Sequence, residues 1–253
     1  AFSAPHFPIQ VPQAWRDRYK NQYDEGYDVL RAQRVERAMK QGVLPENINM
    51  SVYESGADSW DSISDDEKLI LSRKMEIYAA MVENMDFHIG RVLDYLEAIG
   101  ERENTFVLFM SDNGGLSAVH RGGIKHTHNL PLKSGKGSIY EGGIRVPFFI
   151  IWKDKVVVGK NTQTPISHLD IFPTIMELSG EHSMYKELDG QSLIPMITAD
   201  QQMAERSFFW HFPIYLQGYN VLNNENRDSL FRTRPGSLIR KGDWKLHYYF
   251  EDQ

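Results

Sequence analysis

Polar and apolar positions follow their clearest rhythm between residues 64 and 99. Leu71, Met75, Tyr78, Val82, Met85, Ile89, Val92 and Leu96 recur every three or four positions, which places them on one face of a long helix. Ser64 and Glu67 have the spacing of a capping box, and Gly100 is a natural stop. The stripe reads as a core-packing face, with Asp94 and Glu97 on the solvated side. Residues 105–110 form a short, almost wholly apolar run that predicts a strand buried on both faces, and residues 146–152 predict a second. A long helix feeding such a strand predicts a βαβ-type, largely parallel sheet. Residues 167–179 predict another helix, with Pro173 in its first turn and Gly180 closing it.

The rest of the chain is less regular. Pro5, Pro8 and Pro12 make residues 1–13 a loop leaving a strand. Residues 14–60 predict an irregular excursion with one or two helices, the clearest near residues 30–39. From about residue 205 short strands are expected at 207–210, 237–240 and 244–250, with Lys241-Gly242-Asp243 as a hairpin turn. The expected architecture is an α/β domain over residues 1–204, with a mostly parallel sheet flanked by helices. A small antiparallel subdomain begins over residues 205–253.

Composition narrows the classes. The 253 residues are 41% hydrophobic and 25% charged, as in an ordinary globular protein. A formal net charge of −6, without a basic stripe interleaved with aromatics, argues against nucleic acid as a partner. The apolar run at 146–152 is far too short for a membrane span. The chain has no cysteine, which excludes disulfides, thiolate metal sites and a cysteine nucleophile within it.

Three segments carry candidate chemistry. Asp112 and Asn113 follow the first apolar strand and precede Gly114 and Gly115. A carboxylate and an amide oxygen at a strand's carboxyl end suit Ca²⁺ or Mg²⁺, and the glycines let the backbone turn and approach a ligand. The same tetrapeptide is also ordinary turn chemistry. Lys136 lies in Ser134-Gly135-Lys136-Gly137, where a glycine-framed loop allows close approach to an anion. The loop lacks the Walker A spacing, and the alternative is a solvated lysine. His6, between Pro5 and Pro8, sits on a stiff, extended backbone in this reading and is a candidate general acid or anion contact. His126 and His128 are either a solvated turn or part of a substrate mouth. His211, in Trp210-His211-Phe212-Pro213, belongs either to subdomain packing or to a sugar-stacking surface. His88, within the long helix, is read as structural.

Taken in order, Ala4-Pro5-His6-Phe7-Pro8, Ser111-Asp112-Asn113-Gly114 and Gly135-Lys136-Gly137-Ser138-Ile139-Tyr140-Glu141-Gly142-Gly143-Ile144-Arg145-Val146-Pro147 resemble the sulfatase family, within the alkaline-phosphatase-like superfamily. Weaker echoes follow at residues 168–174, 189–193 and 239–246. The resemblance implies that Asp112 and Asn113 are two ligands of a divalent cation, usually Ca²⁺ with Mg²⁺ the alternative. It also implies that Lys136 binds sulfate and supports the leaving oxygen, and that His6 contacts sulfate and leaving group. The implied substrate is a small-molecule or carbohydrate sulfate ester. A cation and an ammonium stabilise the charge that grows on the bridging oxygen as the S–O bond breaks, and an imidazole can protonate it.

The family nucleophile is a formylglycine made within a Cys/Ser-x-Pro-x-Arg segment. Ser3-Ala4-Pro5-His6-Phe7 places Phe7 where that arginine belongs, and the family's amino-terminal aspartate pair has no counterpart. The expectation is therefore a piece of a longer sulfatase that partners a missing amino-terminal portion of the same domain. The longer form is expected to be periplasmic or secreted. The chain alone is expected to be inactive and to expose an open apolar sheet edge. The competing classes are a phosphatase or phosphonate monoester hydrolase on the same fold, and a non-catalytic carbohydrate-binding remnant.

Overall fold

The computed structural model describes residues 2–48, 58–117, 128–156, 158–181, 188–199, 201–217 and 231–251. It divides into two compact units that interleave along the chain.

The first unit comprises Ala1–Gly100, Asn113–Arg145 and Gln217–Arg232. It holds helices α1 (Gly26–Lys40), α2 (Asp65–Ala98) and α3 (Glu141–Ile144). The capping box forms as expected: Glu67 N–H donates to Ser64 Oγ, and Ser64 N–H donates to Glu67 Oε2 at 3.0 Å. The buried face of α2 differs from the expected stripe. Its buried residues are Leu71, Ser72, Glu76, Ala80 and Met81, whereas Tyr78, Val82 and Val92 are exposed. Polar docking sets this rotation. Asn21 N–H donates to Glu76 Oε1 at 2.7 Å, Ser72 Oγ donates to Tyr23 O at 3.1 Å, and Arg73 pairs with both Glu76 and Asp17. Residues 17–23 therefore bind the helix through hydrogen bonds that an apolar periodicity does not record. Val11, Ala80 and Met81 form one small core, and Trp60, Ile63 and Leu71 another. Gly26, at φ +85°, lies so close to the Trp60 ring that a Cβ would sit 2.2 Å from it.

The second unit comprises Glu101–Asp112, Val146–Leu216 and Thr233–Gln253. It holds β1 (Val107–Met110), β2 (Phe148–Ile151), α4 (Ile171–Leu178), α5 (Ile194–Ala199) and β3 (Ser207–Phe212). Two short strands follow in the chain, β4 (Leu216–Gln217) and β5 (Phe231–Thr233), then β6 (Gly236–Lys241) and β7 (Trp244–Tyr249). The order β3-β6-β7 is antiparallel, with Phe209, Ile239 and Leu246 in one cross-strand row. The expected hairpin turn joins β6 to β7, with Gly242 at φ +54°.

The helices and strands fall where the pattern places them, and the α/β assignment stands. The pairing of β1 with β2 is antiparallel, however, not parallel. Met110 faces Phe148, and Ser111 N–H bonds to Pro147 O at 3.4 Å. The chain leaves and re-enters at the same end of this pair, which only an antiparallel arrangement allows. The two strands also lack the expected burial on both faces, since Phe109, Phe149 and Ile151 are exposed.

Candidate active site

The glycine-rich loop of the first unit is held by a backbone weave. Gly114 N–H donates to Gly143 O at 2.9 Å, Lys136 N–H to Gly115 O at 2.8 Å, and Gly142 N–H to Lys133 O at 2.8 Å. Asn129 locks the weave, its Nδ2 donating to Gly115 O at 2.8 Å and to Ser134 O at 3.0 Å. These strands of loop run so close that side chains do not fit between them. A Cβ on Gly114 would lie 1.8 Å from Gly142 O, and one on Gly142 would lie 2.1 Å from Ser134 O. Gly114 and Gly142 thus serve mutual approach of backbone segments more than left-handed turns. Gly137, at φ +87°, is the one glycine of the Lys136 segment in that region.

This frame presents Lys136 to His6, which lies 130 positions away in sequence. Their Nζ and Nε2 atoms are 3.0 Å apart. His6 Nδ1 lies 2.6 Å from Phe7 O. A carbonyl oxygen only accepts and an ammonium only donates, so these partners assign the proton to Nδ1 and the acceptor lone pair to Nε2. Lys136 Nζ and His6 Nε2 thereby converge on one point. The His6 backbone corrects one expectation. His6 N–H bonds to Ser3 O at 2.8 Å, closing a turn with a cis Ala4–Pro5 bond instead of an extended run. The turn suits a proline, which has a fixed φ and no backbone N–H to leave unpaired.

Asn113 is half-buried in the first unit, and Asp112 is exposed at the end of β1 in the second. Among the described residues no group of three or more His, Cys, Asp or Glu is placed to hold a metal. The Asp112 carboxylate and Asn113 amide fit a hard cation in kind, but they are two donors where Ca²⁺ takes about six to eight oxygens. A complete cage needs further ligands. Behind Asp112, His168 Nε2 lies 3.1 Å from Ser111 O.

Two of the weaker sequence echoes, residues 168–174 and 189–193, prove to be a buried polar knot in the second unit. Asp170 is fully buried and pairs with both guanidinium nitrogens of Arg206, at 2.7 Å from Oδ1 to Nη1. It also accepts from Ser167 N–H at 2.8 Å and Gln191 N–H at 2.9 Å. Thr174 Oγ1 donates to Asp170 O at 2.6 Å and accepts from Leu193 N–H at 2.9 Å. A Cβ on Gly190 would lie 1.9 Å from Leu169 O, so residues 167–174 and 189–193 dock against each other.

The remaining histidines separate. His128 is half-buried, its Nδ1 accepting from Leu130 N–H at 3.2 Å. Burial first, then the charges of Arg31 and Arg34, lower its affinity for a proton below the ordinary imidazole value. His126 lies outside the described residues. His211 is exposed on the β3 sheet face, 3.0 Å from Ser237 Oγ and with its ring centroid 5.5 Å from that of Phe250. It belongs to the second unit, whereas His6 and Lys136 belong to the first. His88 Nδ1 lies 3.1 Å from Arg91 within α2. The sequence pattern gave no role to Asn129 or Arg206, and included His168 only within the weak echo at residues 168–174. Of the first two, only Asn129 offered any signal, by its position a few residues before the glycine loop.

Comparison with known proteins shows the family. The sulfatase family model matches residues 1–181, and a model described as the carboxyl-terminal part of N-sulphoglucosamine sulphohydrolase matches residues 135–252. An uncharacterised sulfatase of Schizosaccharomyces pombe is 37% identical over 70% of this chain and 38% of its own length. An arylsulfatase of Klebsiella aerogenes is 28% identical over 78% of this chain and 48% of its own. Among solved structures, Ps i-CgsB superposes with a TM-score of 0.57 at 25% identity, covering 99% of this chain and 40% of that one. A protein solved with its substrate D-glucosamine-2-N,6-O-disulfate superposes with a TM-score of 0.55 at 24% identity, covering 74% and 33%. The chain thus spans less than half the length of these relatives. By its match over residues 1–181, this chain belongs to the sulfatase family.

Proposed function

We propose that these residues serve a sulfuric ester hydrolase, and that His6 and Lys136 bind the sulfate group and its leaving oxygen. The 3.0 Å approach of Lys136 Nζ to His6 Nε2 carries this reading. Lys136 offers an ammonium to the anion and to the charge growing on the bridging oxygen. The Nε2 of His6, facing Lys136, is the ring nitrogen turned to the departing alkoxide, to which it gives a proton only after taking one up. The glycine weave supports this by fixing Lys136 on a frame with no room to relax. Asp112 and Asn113 would hold a divalent cation, Ca²⁺ or Mg²⁺, together with ligands from elsewhere. When bound, that cation supplies Lewis-acid charge to a sulfate oxygen.

No Cys/Ser-x-Pro-x-Arg segment occurs among these 253 residues. The substrate is an organic sulfate ester, with an aryl or sugar alcohol. The relatives' names, arylsulfatase and steryl-sulfatase among them, support the ester class without fixing the alcohol. Calorimetric titration of the chain with 4-nitrophenyl sulfate tests the proposal. Saturable binding that inorganic sulfate displaces and Lys136→Ala weakens, without release of 4-nitrophenol, is expected. Binding indifferent to Lys136→Ala contradicts it.

A further inference from the structure

We infer that Asn129 is a positioning residue for Lys136, setting where its ammonium meets His6 through the two backbone carbonyls that its amide holds; this rests on the reading of His6 and Lys136 as an anion-binding pair. Both contacts of the amide lead to Lys136. Gly115 O accepts from Asn129 Nδ2 at 2.8 Å and from the backbone N–H of Lys136 itself at 2.8 Å. Ser134 O, which accepts from the same Nδ2 at 3.0 Å, belongs to the residue two positions before Lys136. Both partners are carbonyl oxygens, which only accept, so each hydrogen of Nδ2 is committed. Asparagine suits this task where its short polar neighbours do not, since an ionised aspartate has no donor and serine has one.

The backbone that Asn129 holds is a costly one. Ser134 is buried, and its φ of +63° lies in the left-handed region that disfavours a non-glycine residue. The Asn129 bond holds the Ser134 carbonyl, and with it the peptide that enters Gly135 and Lys136. The amide is also tightly flanked. A Cβ on Gly115 would lie 2.5 Å from Asn129 Oδ1, and one on Gly135 would lie 2.7 Å from Asn129 Nδ2. These two glycines thus make a slot for the amide, a reason for glycine distinct from the backbone crossings at Gly114 and Gly142. The slot, Lys136 and His6 all belong to the first unit. Lys136 Nζ stands 3.0 Å from His6 Nε2, and a shift of about 1 Å in a positioned group is enough to cost much of its effect.

The test uses the 253-residue chain with Asn129→Ala, Gly115→Ala and Lys136→Ala, and with Asn129→Ala combined with each of the other two. Gly115→Ala is the sharpest probe. The three nearest atoms to its Cβ all belong to the Asn129 side chain, and its φ is not left-handed, so the substitution displaces the amide and spares the backbone. His6 Nε2 is followed by long-range ¹H–¹⁵N correlation, first without ligand and then through a sulfate titration, while thermal melting checks folding. Without ligand, the Nε2 resonance is expected to move toward its Lys136→Ala position in Asn129→Ala and in Gly115→Ala. The sulfate midpoint is expected to rise about three- to tenfold in each. Gly115→Ala is expected to change the Asn129→Ala midpoint by less than about twofold, because the slot is then empty. Asn129→Ala is expected to change the Lys136→Ala midpoint by less than about twofold, because the residue it positions is gone. A merely structural role would add its effect in the Lys136→Ala background as well. A wild-type resonance and midpoint in either Asn129→Ala or Gly115→Ala overturn this inference alone, as does an effect of Asn129→Ala that persists without Lys136 or of Gly115→Ala that persists without Asn129. A wild-type His6 ring that ignores sulfate overturns the anion reading, and this inference with it.

Discussion

Replacing Arg206 by methionine removes the partner of a fully buried carboxylate. The Asp170 side chain has no solvent exposure and that of Arg206 has 14%, so water does not substitute for the guanidinium. Breaking a buried pair from one side costs about 3–5 kcal/mol, because the remaining charge keeps its desolvation penalty. Asp170 retains two backbone donors, Ser167 N–H and Gln191 N–H, which places the loss near the lower bound, about 3 kcal/mol. Methionine fills the stem volume, so little of this is cavity formation. Urea denaturation followed by circular dichroism measures the loss. Amide exchange at Gln191 and Leu193 locates it, since both N–H groups bond into the knot. Arg206→Lys, which keeps the charge but not the two-pronged geometry, is expected to fall between. A loss below about 1 kcal/mol for Arg206→Met, typical of exposed pairs, would refute the reasoning.

Three further substitutions probe other parts of the structure. Gly142→Ala is expected to destabilise by about 1–3 kcal/mol and to broaden the Lys136 amide resonance, because the neighbour of its Cβ is backbone; an unchanged melt and spectrum would contradict the weave. Ser64→Ala removes the side-chain half of the α2 capping box and is expected to cost about 1 kcal/mol by denaturant titration. His128 is the pH-sensitive element. Its folded-state proton affinity lies below that of the unfolded chain, so the unfolded state takes up the proton first as pH falls. Stability is then lost below the ordinary imidazole value of 6.5 and is unaffected above it. His128→Gln is expected to flatten that part of the stability–pH curve, and an equally steep wild-type and variant curve would contradict the assignment.

Much of this was legible in the sequence where the determinants are local. The Ser64–Glu67 cap, Gly100 and Gly180, the two apolar runs and the Lys241–Trp244 turn each depend on neighbours a few positions apart. Contacts between distant residues were not legible. The face that α2 buries follows from Asn21 and Tyr23 docking on Glu76 and Ser72, about 50 positions away. The direction of β1 against β2 depends on where a long excursion returns. At the candidate site, His6 and Lys136 were visible as motif residues, but their convergence was not. His168 stood within a weak family echo that did not reveal its contact, and Arg206 lacked any signal, because a carbonyl contact or a buried ion pair has no local sequence pattern.

His6 and Lys136 are proposed to form one anion-binding pair. The most direct test of this is a sulfate titration of the chain, with the His6 ring nitrogens followed by long-range ¹H–¹⁵N correlation, in wild type and Lys136→Ala. A saturable shift at His6 Nε2 is expected in wild type. Its midpoint in Lys136→Ala is expected to rise about tenfold or more, the size of one lost hydrogen bond to a charged group. A His6 ring that does not respond to sulfate, or responds identically without Lys136, would contradict it.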